Sequence, residues 1–282
     1  MQPPRIVVIV GPTASGKSAY AVKLAKKLKG EIISADSRQV YKGLDIGTGK
    51  ITKKEMGGIP HHLLDVASPK KVFTANQYVE LGRTTIEDIL ARGKTPIICG
   101  GTGFYIDALL GRIALPTVPP NIKLRTQLAK KTAPQLFAML KKLDTRRARD
   151  IDPKNPVRLI RAIEIAKALG RVPATKPKPL PYRIEWIGIQ MAETKLRTRI
   201  KKRLYARMKA GMVAEARGLH KAGLSYKRMT ALGLEYRHLA LFLQKKISKA
   251  DMCIQLEKEI WHYAKRQMTY WKRNTEIEWR KM

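Results

Sequence analysis

Hydrophobic residues recur along the chain as short continuous runs that alternate with segments of helical spacing. The first run, 5–10, is apolar and β-branched, which predicts a buried strand. The segment 19–28 that follows predicts a helix, because its apolar side chains recur at the spacing of one helix face, at Ala21, Leu24, Ala25 and Leu28. A strand followed directly by a helix is the repeating unit of α/β folds.

The same alternation continues through the first part of the chain. We predict strands over 31–35 and 95–99 and helices over 76–92 and 104–110. The glycine-rich stretch 40–75 between them is predicted to be irregular. Strands that alternate with helices in this way indicate a parallel sheet covered on both faces.

A change of pattern at the proline-rich stretch 115–120 marks a second region. Residues 121–169 have a basic, helical pattern without a strand, and a proline-rich connector follows over 172–181. The run 184–189 then predicts a strand that returns to the sheet, with helices from 193 to about 274. We therefore predict an α/β core with a parallel sheet over 1–115 and 183–282 that carries a helical insertion domain over 116–182.

A glycine-rich turn joins the first predicted strand to the first predicted helix. It fits the Walker A pattern G-x-x-x-x-G-K-[ST] and consists of Gly11, Pro12, Thr13, Ala14, Ser15, Gly16, Lys17 and Ser18. In this context successive backbone N–H groups and the helix N-terminus point at one spot and favour an anion. We predict that it binds at least two linked phosphates, with Lys17 on the terminal phosphate and the Ser18 hydroxyl on Mg²⁺. The parallel-sheet core is therefore predicted to be P-loop NTPase-like.

Asp36 follows directly after the second predicted strand. Because the carboxyl ends of parallel strands line the ligand crevice, Asp36 should face the crevice that holds Lys17 and Ser18. It is the leading candidate for the carboxylate of the site, as a base or as a metal partner, and its alternative role is a turn or N-cap aspartate. The third predicted strand ends instead on Gly100-Gly101-Thr102-Gly103, where Thr102 can hydrogen-bond a phosphate or a base.

Histidine and cysteine give little sign of a metal site. The pair His61–His62 has no companion residues at ligand spacing, and we interpret it as part of a polar loop stabilised with Asp65. The chain has two cysteines, which suggests a reducing cytoplasm without a disulfide framework. No run approaches the length of a membrane-spanning helix, and the first residues lead straight into a strand, so we expect neither a membrane span nor a signal peptide.

The charge of the chain points to a polyanionic partner. There are 57 Lys and Arg residues against 22 Asp and Glu, a formal charge of +35 over 282 residues. A lysine-rich surface kept for solubility is the alternative explanation. Two basic clusters stand out: Arg158 and Arg161 share one predicted helix face, and residues 261–273 interleave aromatic with cationic side chains, which suits unpaired RNA bases. Within 261–273 we assign Lys265, Arg266 and Arg273 to RNA and the tryptophans to the core.

Taken in chain order, several motifs resemble those of the tRNA dimethylallyltransferase family. They are the Walker A loop 11–18, Asp-Ser-Arg-Gln-Val-Tyr at 36–41, His-His-Leu-Leu-Asp at 61–65, Gly-Gly-Thr-Gly-Phe-Tyr at 100–105 and Tyr-Ala-Lys-Arg-Gln at 263–267. The resemblance implies that the loop holds the diphosphate of dimethylallyl diphosphate. It also implies prenylation of the exocyclic amine of the adenosine 3′ of the anticodon in tRNA, by a cytoplasmic enzyme that we expect to be a monomer.

The resemblance also implies roles for individual residues. Asp36 resembles the family's general base, residues 13–18 would cradle the leaving diphosphate with Mg²⁺ near Ser18, and Arg125 matches an arginine that reaches the diphosphate. Thr102 would border the reaction channel. The residues that would contact the tRNA are Asp36, Ser37, Arg38, Gln39, Thr102, Val157, Arg158, Leu159, Ile160, Arg161, Lys265 and Arg266.

Three other functions share parts of this pattern. A P-loop kinase of a small metabolite or nucleoside would use the same loop and Mg²⁺, but it leaves the positive charge without a role. A non-catalytic P-loop RNA-binding switch would bind tRNA and hydrolyse a nucleotide slowly. A relative that prenylates free adenine nucleotides would share the core but not need the basic insertion.

Overall fold

The computed structural model describes residues 3–174, 178 and 180–282. The chain divides into two compact units, a core unit of Met1–Leu110 with Pro179–Met282 and a helical unit of Gly111–Lys178. The helical unit thus begins and ends a few residues before the predicted insertion of 116–182. Part of the predicted connector over 172–181, namely 175–177 and 179, lies outside the described residues.

The core unit is built on a parallel sheet, which confirms the predicted α/β class. Its strand order is β3-β2-β4-β1-β5-β6, and every neighbouring pair runs parallel. The strands are β1 Arg5–Val10, β2 Gly30–Ala35, β3 His61–His62, β4 Thr95–Gly100, β5 Arg183–Gln190 and β6 Glu278–Lys281. The central strands are apolar almost throughout because helices bury both faces of the sheet.

Helices cover the two faces of the sheet and form a further layer of their own. The core unit contains α1 Lys17–Leu28, α2 Lys53–Met56, α3 Ala75–Ala91, α4 Gly103–Leu109, α9 Glu193–Lys209, α10 Met212–Lys221, α11 Tyr226–Leu232, α12 Leu234–Leu243 and α13 Lys249–Trp271. Helix α1 packs on one sheet face, and α3 and α4 pack on the other. Helices α9 to α13 bury a separate apolar cluster. Among the described residues, none of the helices is both long and apolar enough to cross a membrane.

Two strands of the sheet were not predicted, and both lie at its edges. The stretch 40–75 contains β3, which is only two residues long, and β6 at the opposite edge has the polar sequence Glu-Trp-Arg-Lys. Neither sequence has the alternation of hydrophobic and polar residues, or the continuous apolar run, that predicts a strand. The histidines of β3 also differ from the prediction, because His62 pairs with Glu31 at 2.7 Å while Asp65 pairs with Lys50 at 2.5 Å.

In the part that the structure describes, the helical unit has four helices around one small apolar core. They are α5 Ile122–Leu128, α6 Ala133–Leu143, α7 Thr145–Asp150 and α8 Pro156–Leu169. Polar caps fix where they begin: the side chains of Asn121, Thr132, Asp144 and Asn155 each accept a backbone N–H of the first turn. Apolar residues of α6 and α8, such as Leu136, Leu140 and Leu159, are fully buried between the helices.

A buried carboxylate, Glu164, ties this unit together. Its side chain is 1 % exposed and receives two hydrogen bonds from Arg125, at 2.8 and 2.7 Å, and one from Arg161. The backbone N–H of Asn121 donates to it as well, at 2.6 Å. Burial alone would raise the pKa of Glu164, but these hydrogen bonds and charges outweigh it and hold the pKa at about 2.

We expect Glu164→Gln to lower the unfolding free energy of the helical unit by about 2 kcal/mol, because two half-buried guanidinium groups lose their counter-charge. Native-state hydrogen exchange of the α8 amides measures this quantity for the unit itself. The matched control is Glu193→Gln, which removes a carboxylate from an exposed pair with Arg197 and should cost less than about 1 kcal/mol. Equal losses in the two variants would contradict the role given to Glu164.

Candidate active site

The phosphate loop, residues 11–18, joins β1 to α1 in the conformation that its glycines require. Gly11 has a φ of 148°, and a Cβ there would lie 2.5 Å from the carbonyl oxygen of Ile189 in the neighbouring strand β5. Gly16 has a φ of 95° at the N-cap of α1. Gly11 therefore leaves no room for a side chain, and Gly16 has the left-handed backbone that favours glycine. The loop leads directly into the N-terminus of α1, and the backbone N–H groups of a helix N-terminus favour an anion.

Inside this loop one polar side chain has no partner. Ser15 is completely buried, and its Oγ makes no hydrogen bond with the described residues. The carbonyl of Pro12 accepts the N–H of Ser15 at 3.3 Å and the Nζ of Lys17 at 3.2 Å. An unpartnered buried hydroxyl among backbone donors fits a ligand with several acceptor oxygens, as a diphosphate has.

A cavity of about 70 Å³ lies beside the loop and brings together Lys17 and Asp36, two of the four predicted catalytic residues. Thr13, Lys17, Ser18, Asp36 and Gln39 all line it. Burial lowers the pKa of Lys17 from the value usual for a lysine, and the positive charge of Arg203 acts in the same direction, while the Asp36 carboxylate opposes both. A buried ammonium with so little compensation is poised for an anionic ligand.

Asp36 serves the turn after β2 with only one of its carboxylate oxygens. Its Oδ1 accepts the backbone N–H groups of Arg38 at 2.8 Å and of Gln39 at 3.3 Å. The described residues provide no hydrogen bond to Oδ2. The turn role and the chemical role that the sequence left as alternatives are therefore compatible, because one oxygen orients the carboxylate and leaves the other for a ligand.

Thr102 holds the glycine loop, residues 100–103, against the turn that carries Asp36. Its Oγ1 accepts the N–H of Ser37 at 3.1 Å, and its own N–H donates to the carbonyl of Ala35 at 3.1 Å. The two backbone segments approach so closely that a Cβ on Gly100 would lie 2.2 Å from the carbonyl oxygen of Ala35. Thr102 is absent from the lining of the cavity described above, so its place is at the border of the site.

One functional candidate was missed by the sequence analysis. Arg203 of α9 lines the cavity together with Lys17, and its Nη2 donates to the carbonyl of Gly49 at 2.8 Å. It is one of many basic residues in α9, and nothing in the helix pattern separates it from Lys201 or Lys202. Only the tertiary fold, which places α9 over the wall of the cavity, identifies it.

That wall, residues 45–51, is fixed by a carboxylate from α10. Glu215 accepts the backbone N–H groups of Asp45, Ile46 and Gly47 at distances from 2.6 to 3.0 Å, and the Tyr236 hydroxyl donates to it at 2.7 Å. Burial and the Glu215 charge together raise the pKa of Tyr236, which keeps its hydroxyl protonated as a donor. The cavity therefore has a rigid wall opposite the phosphate loop.

The residues that could take part in metal binding are oxygen donors. The described residues include no group of three or more His, Cys, Asp or Glu that could hold a metal ion. The Nδ1 of His61 contacts the Ile59 carbonyl at 2.8 Å, and burial lowers the pKa of His61. The hydroxyl of Ser18 and the carboxylate of Asp36 line one cavity, and Mg²⁺ typically takes one or two such protein ligands beside phosphate oxygens.

The residues predicted to contact RNA differ in their availability. Lys265 and Arg266 are exposed on α13, and Val157 and Arg158 are exposed on α8. Leu159, in contrast, is fully buried in the core of the helical unit, so the prediction that it contacts RNA is corrected for its side chain. Arg161 and Arg158 do not act as an equivalent pair, since Arg161 binds Glu164 and the carbonyl of Val118.

Comparison with known proteins gives a consistent family. The family model described as IPP transferase matches residues 39–274. A tRNA dimethylallyltransferase 2 from Treponema denticola is 43 % identical, with 95 % of this chain and 91 % of the relative covered. A tRNA dimethylallyltransferase from Anoxybacillus flavithermus is 38 % identical, with 98 % of this chain and 89 % of the relative covered.

Solved structures agree with this result. The full-length tRNA isopentenylpyrophosphate transferase of Bacillus halodurans superposes with a TM-score of 0.74 at 34 % identity, covering 98 % of this chain and 89 % of that one. A eukaryotic dimethylallyltransferase acting on tRNA shares the fold, with a TM-score of 0.83 at 23 % identity over 99 % of this chain and 74 % of that one. Since the family model spans most of the chain and the relatives align nearly end to end, the chain belongs to the IPP transferase family.

Proposed function

We propose that the protein transfers the dimethylallyl group of dimethylallyl diphosphate to the exocyclic amine of the adenosine 3′ of the anticodon in tRNA. The observation that carries this proposal is the shared cavity of Lys17 and Asp36, because it places an anion-binding loop beside a carboxylate with a free oxygen. Membership of the IPP transferase family, and the names of its similar members, support this choice of substrates.

The phosphate loop has the chemistry of a leaving-group site. The exocyclic nitrogen attacks the allylic carbon, a C–N bond forms, and the C–O bond to the diphosphate breaks with its electron pair leaving on oxygen. The backbone N–H groups of the loop and the Lys17 ammonium stabilise that developing negative charge. Arg203 adds a second positive charge at the same cavity, and Arg125 stays a predicted diphosphate contact.

Asp36 completes the reaction by removing a proton. The attacking amine becomes positively charged as the C–N bond forms, and the free Oδ2 of Asp36 accepts the proton that it loses. The adenine base must leave its stack for this attack. The residues that would hold the displaced adenine surround Asp36 and are Ser37, Arg38, Gln39 and Thr102.

Magnesium is part of the proposal as a partner of the diphosphate. The Ser18 hydroxyl would hold Mg²⁺ at the mouth of the loop, where Ser18 is exposed and shares the cavity with the Asp36 carboxylate. When bound, the ion neutralises part of the charge that builds up on the leaving diphosphate. We further propose that the enzyme works as a monomer in the cytoplasm.

Incubation of the protein with unmodified tRNA, Mg²⁺ and radiolabelled dimethylallyl diphosphate tests the proposal directly. We expect label to appear in the tRNA and to map to the adenosine 3′ of the anticodon after nuclease digestion. Label in free adenine nucleotides would favour the nucleotide-prenylating relative. Consumption of ATP without RNA, and without any label transfer, would support a kinase instead.

Asp36→Asn should lower turnover by ~10²-fold or more, because the amide keeps the turn but cannot accept the proton. The dissociation constant for tRNA, measured by filter binding, should change by less than about threefold, since the phosphate contacts remain. Asp88→Asn on the outer side of α3 is the matched control and should leave turnover unchanged. Near-normal turnover of Asp36→Asn would rule out Asp36 as the base.

The lowered pKa of Lys17 predicts an unusual pH dependence of binding. The diphosphate binds the charged ammonium, so its affinity should fall as the pH rises through the pKa of Lys17, and this should occur below pH ~10.5, the ordinary range for a lysine. Calorimetric titration of dimethylallyl diphosphate from about pH 8 upward measures the effect. In Lys17→Met the affinity should be weak at every pH in this range, and a pH dependence as steep as that of the unaltered protein would assign the titration to another group.

The binding of tRNA should depend steeply on salt, because each Lys or Arg on a phosphate releases counterions. A double variant, Lys265→Gln with Arg266→Gln, should reduce the slope of log affinity against log salt by roughly two. Lys249→Gln, at the other end of α13, is the control that should leave the slope unchanged. If the double variant and the control behave alike, the assignment of 265–266 to RNA is wrong.

A further inference from the structure

Gln267 of α13 is a buried polar residue for which the proposed reaction has no role. It is only 5 % exposed, although glutamine is usually a surface residue. Both ends of its amide are used: Oε1 accepts the backbone N–H of Thr13 at 2.7 Å, and Nε2 donates to the carbonyl of Gly101 at 3.0 Å. A buried side chain that is fully hydrogen-bonded at both ends fixes its two partners relative to each other.

The two partners belong to the two loops that form the site. Thr13 lies in the phosphate loop after β1, and Gly101 lies in the glycine loop after β4. These loops leave adjacent strands of the sheet, and the side chain of Gln267 spans the gap between them. The side chain of Gln267 thereby connects helix α13 to the phosphate loop by a hydrogen bond.

The amide packs closely on the backbone of the glycine loop. A Cβ on Gly101 would lie 1.9 Å from Nε2 of Gln267, so with a larger residue there the amide could not keep this position. One turn further along α13, Tyr270 closes on Gly103 in the same way, with a Cβ there 2.2 Å from its ring. Helix α13 therefore packs against the glycine loop at two places, Gly101 and Gly103. From this contact the side chain of Gln267 extends to the phosphate loop.

An amide is the side chain that this position requires. It accepts from the Thr13 N–H and donates to the Gly101 carbonyl with the same planar group, which a carboxylate cannot do. The bond to Thr13 also orients the preceding peptide, whose carbonyl on Pro12 accepts from Ser15 and from Lys17. The conformation of the loop and the resting position of the Lys17 ammonium are thus linked to Gln267.

We propose that Gln267 is a positioning residue that holds the phosphate loop in its diphosphate-binding shape. It lines the cavity beside the loop, but its amide is already bonded to Thr13 and Gly101, so it acts through the Thr13 N–H and the Pro12 carbonyl. The inference rests on the proposed function only in taking the diphosphate as the ligand of the loop. Its effect should fall on the diphosphate and not on RNA, although the neighbouring Lys265 and Arg266 are the proposed RNA contacts.

The test compares Gln267→Met, which has a similar shape but no polar atoms for either partner, with Gln255→Met on the exposed side of the same helix. Calorimetry with dimethylallyl diphosphate and filter binding with tRNA are measured for both. We expect Gln267→Met to raise the dissociation constant for dimethylallyl diphosphate about tenfold or more, and that for tRNA by less than about twofold. Gln255→Met should change neither.

Gln267→Glu provides a readout that a purely structural role would not give. When protonated, its carboxyl group can accept from Thr13 and donate to Gly101 like the amide, and when ionised it cannot donate and adds negative charge beside the loop. Its deficit in diphosphate affinity relative to the unaltered protein should therefore shrink as the pH falls from about 8 to about 5. The deficit of Gln267→Met should stay constant over the same range.

Three outcomes would overturn the inference. The first is a Gln267→Met variant that binds dimethylallyl diphosphate as tightly as the unaltered protein. The second is an equal loss of diphosphate and tRNA affinity together with a large fall in thermal midpoint, which would indicate general unfolding. The third is a Gln267→Glu deficit that does not depend on pH. Failure of the unaltered protein to bind dimethylallyl diphosphate would instead contradict the proposed function.

Discussion

The close approach of parallel strands at their carboxyl ends is the constraint on which the rest of the structure depends. Strands β1, β2 and β4 end side by side, and each ends in a segment that needs backbone space: the phosphate loop, the Asp36 turn and the glycine loop. Gly11 sits against the Ile189 carbonyl of β5, and Gly100 against the Ala35 carbonyl of β2. Larger residues at either glycine would push these strand ends apart and separate the ammonium of Lys17 from the carboxylate of Asp36.

Around this convergence, buried and partly buried polar side chains hold the loops together by hydrogen bonds. Gln267 joins two of the loops, Thr102 joins the third to its neighbour, and Glu215 holds the wall that faces them. Each of these side chains bonds to backbone groups, so each fixes a chain path and leaves the reacting side chains free. The helical unit follows the same rule with Glu164, except that there the carboxylate holds arginine side chains.

The sequence was sufficient for the parts of the fold and site that local chemistry determines. The Walker A loop, the strands of continuous apolar residues and the position of Asp36 after β2 follow from spacing and residue type alone. Strands β3 and β6 could not be predicted, since two histidines and a polar tetrapeptide acquire their structure only from pairing with a formed neighbour. Arg203 could not be singled out either, because it is one of several basic residues on its helix until tertiary packing selects it. Gln267 stands in the sequence only as the last residue of the motif 263–267, and its two backbone partners become known only from the fold.

The order of the strands also has a consequence for synthesis on the ribosome. Strand β1 pairs on one side with β4 and on the other with β5, which follows the helical unit in the chain, and β6 adds to β5 from nearly a hundred residues further on. The helical unit needs only its own continuous segment of chain and can form as soon as it emerges. The sheet, in contrast, cannot be completed until β5 has been synthesised. One edge of the apolar strand β1 therefore stays unpaired for most of translation.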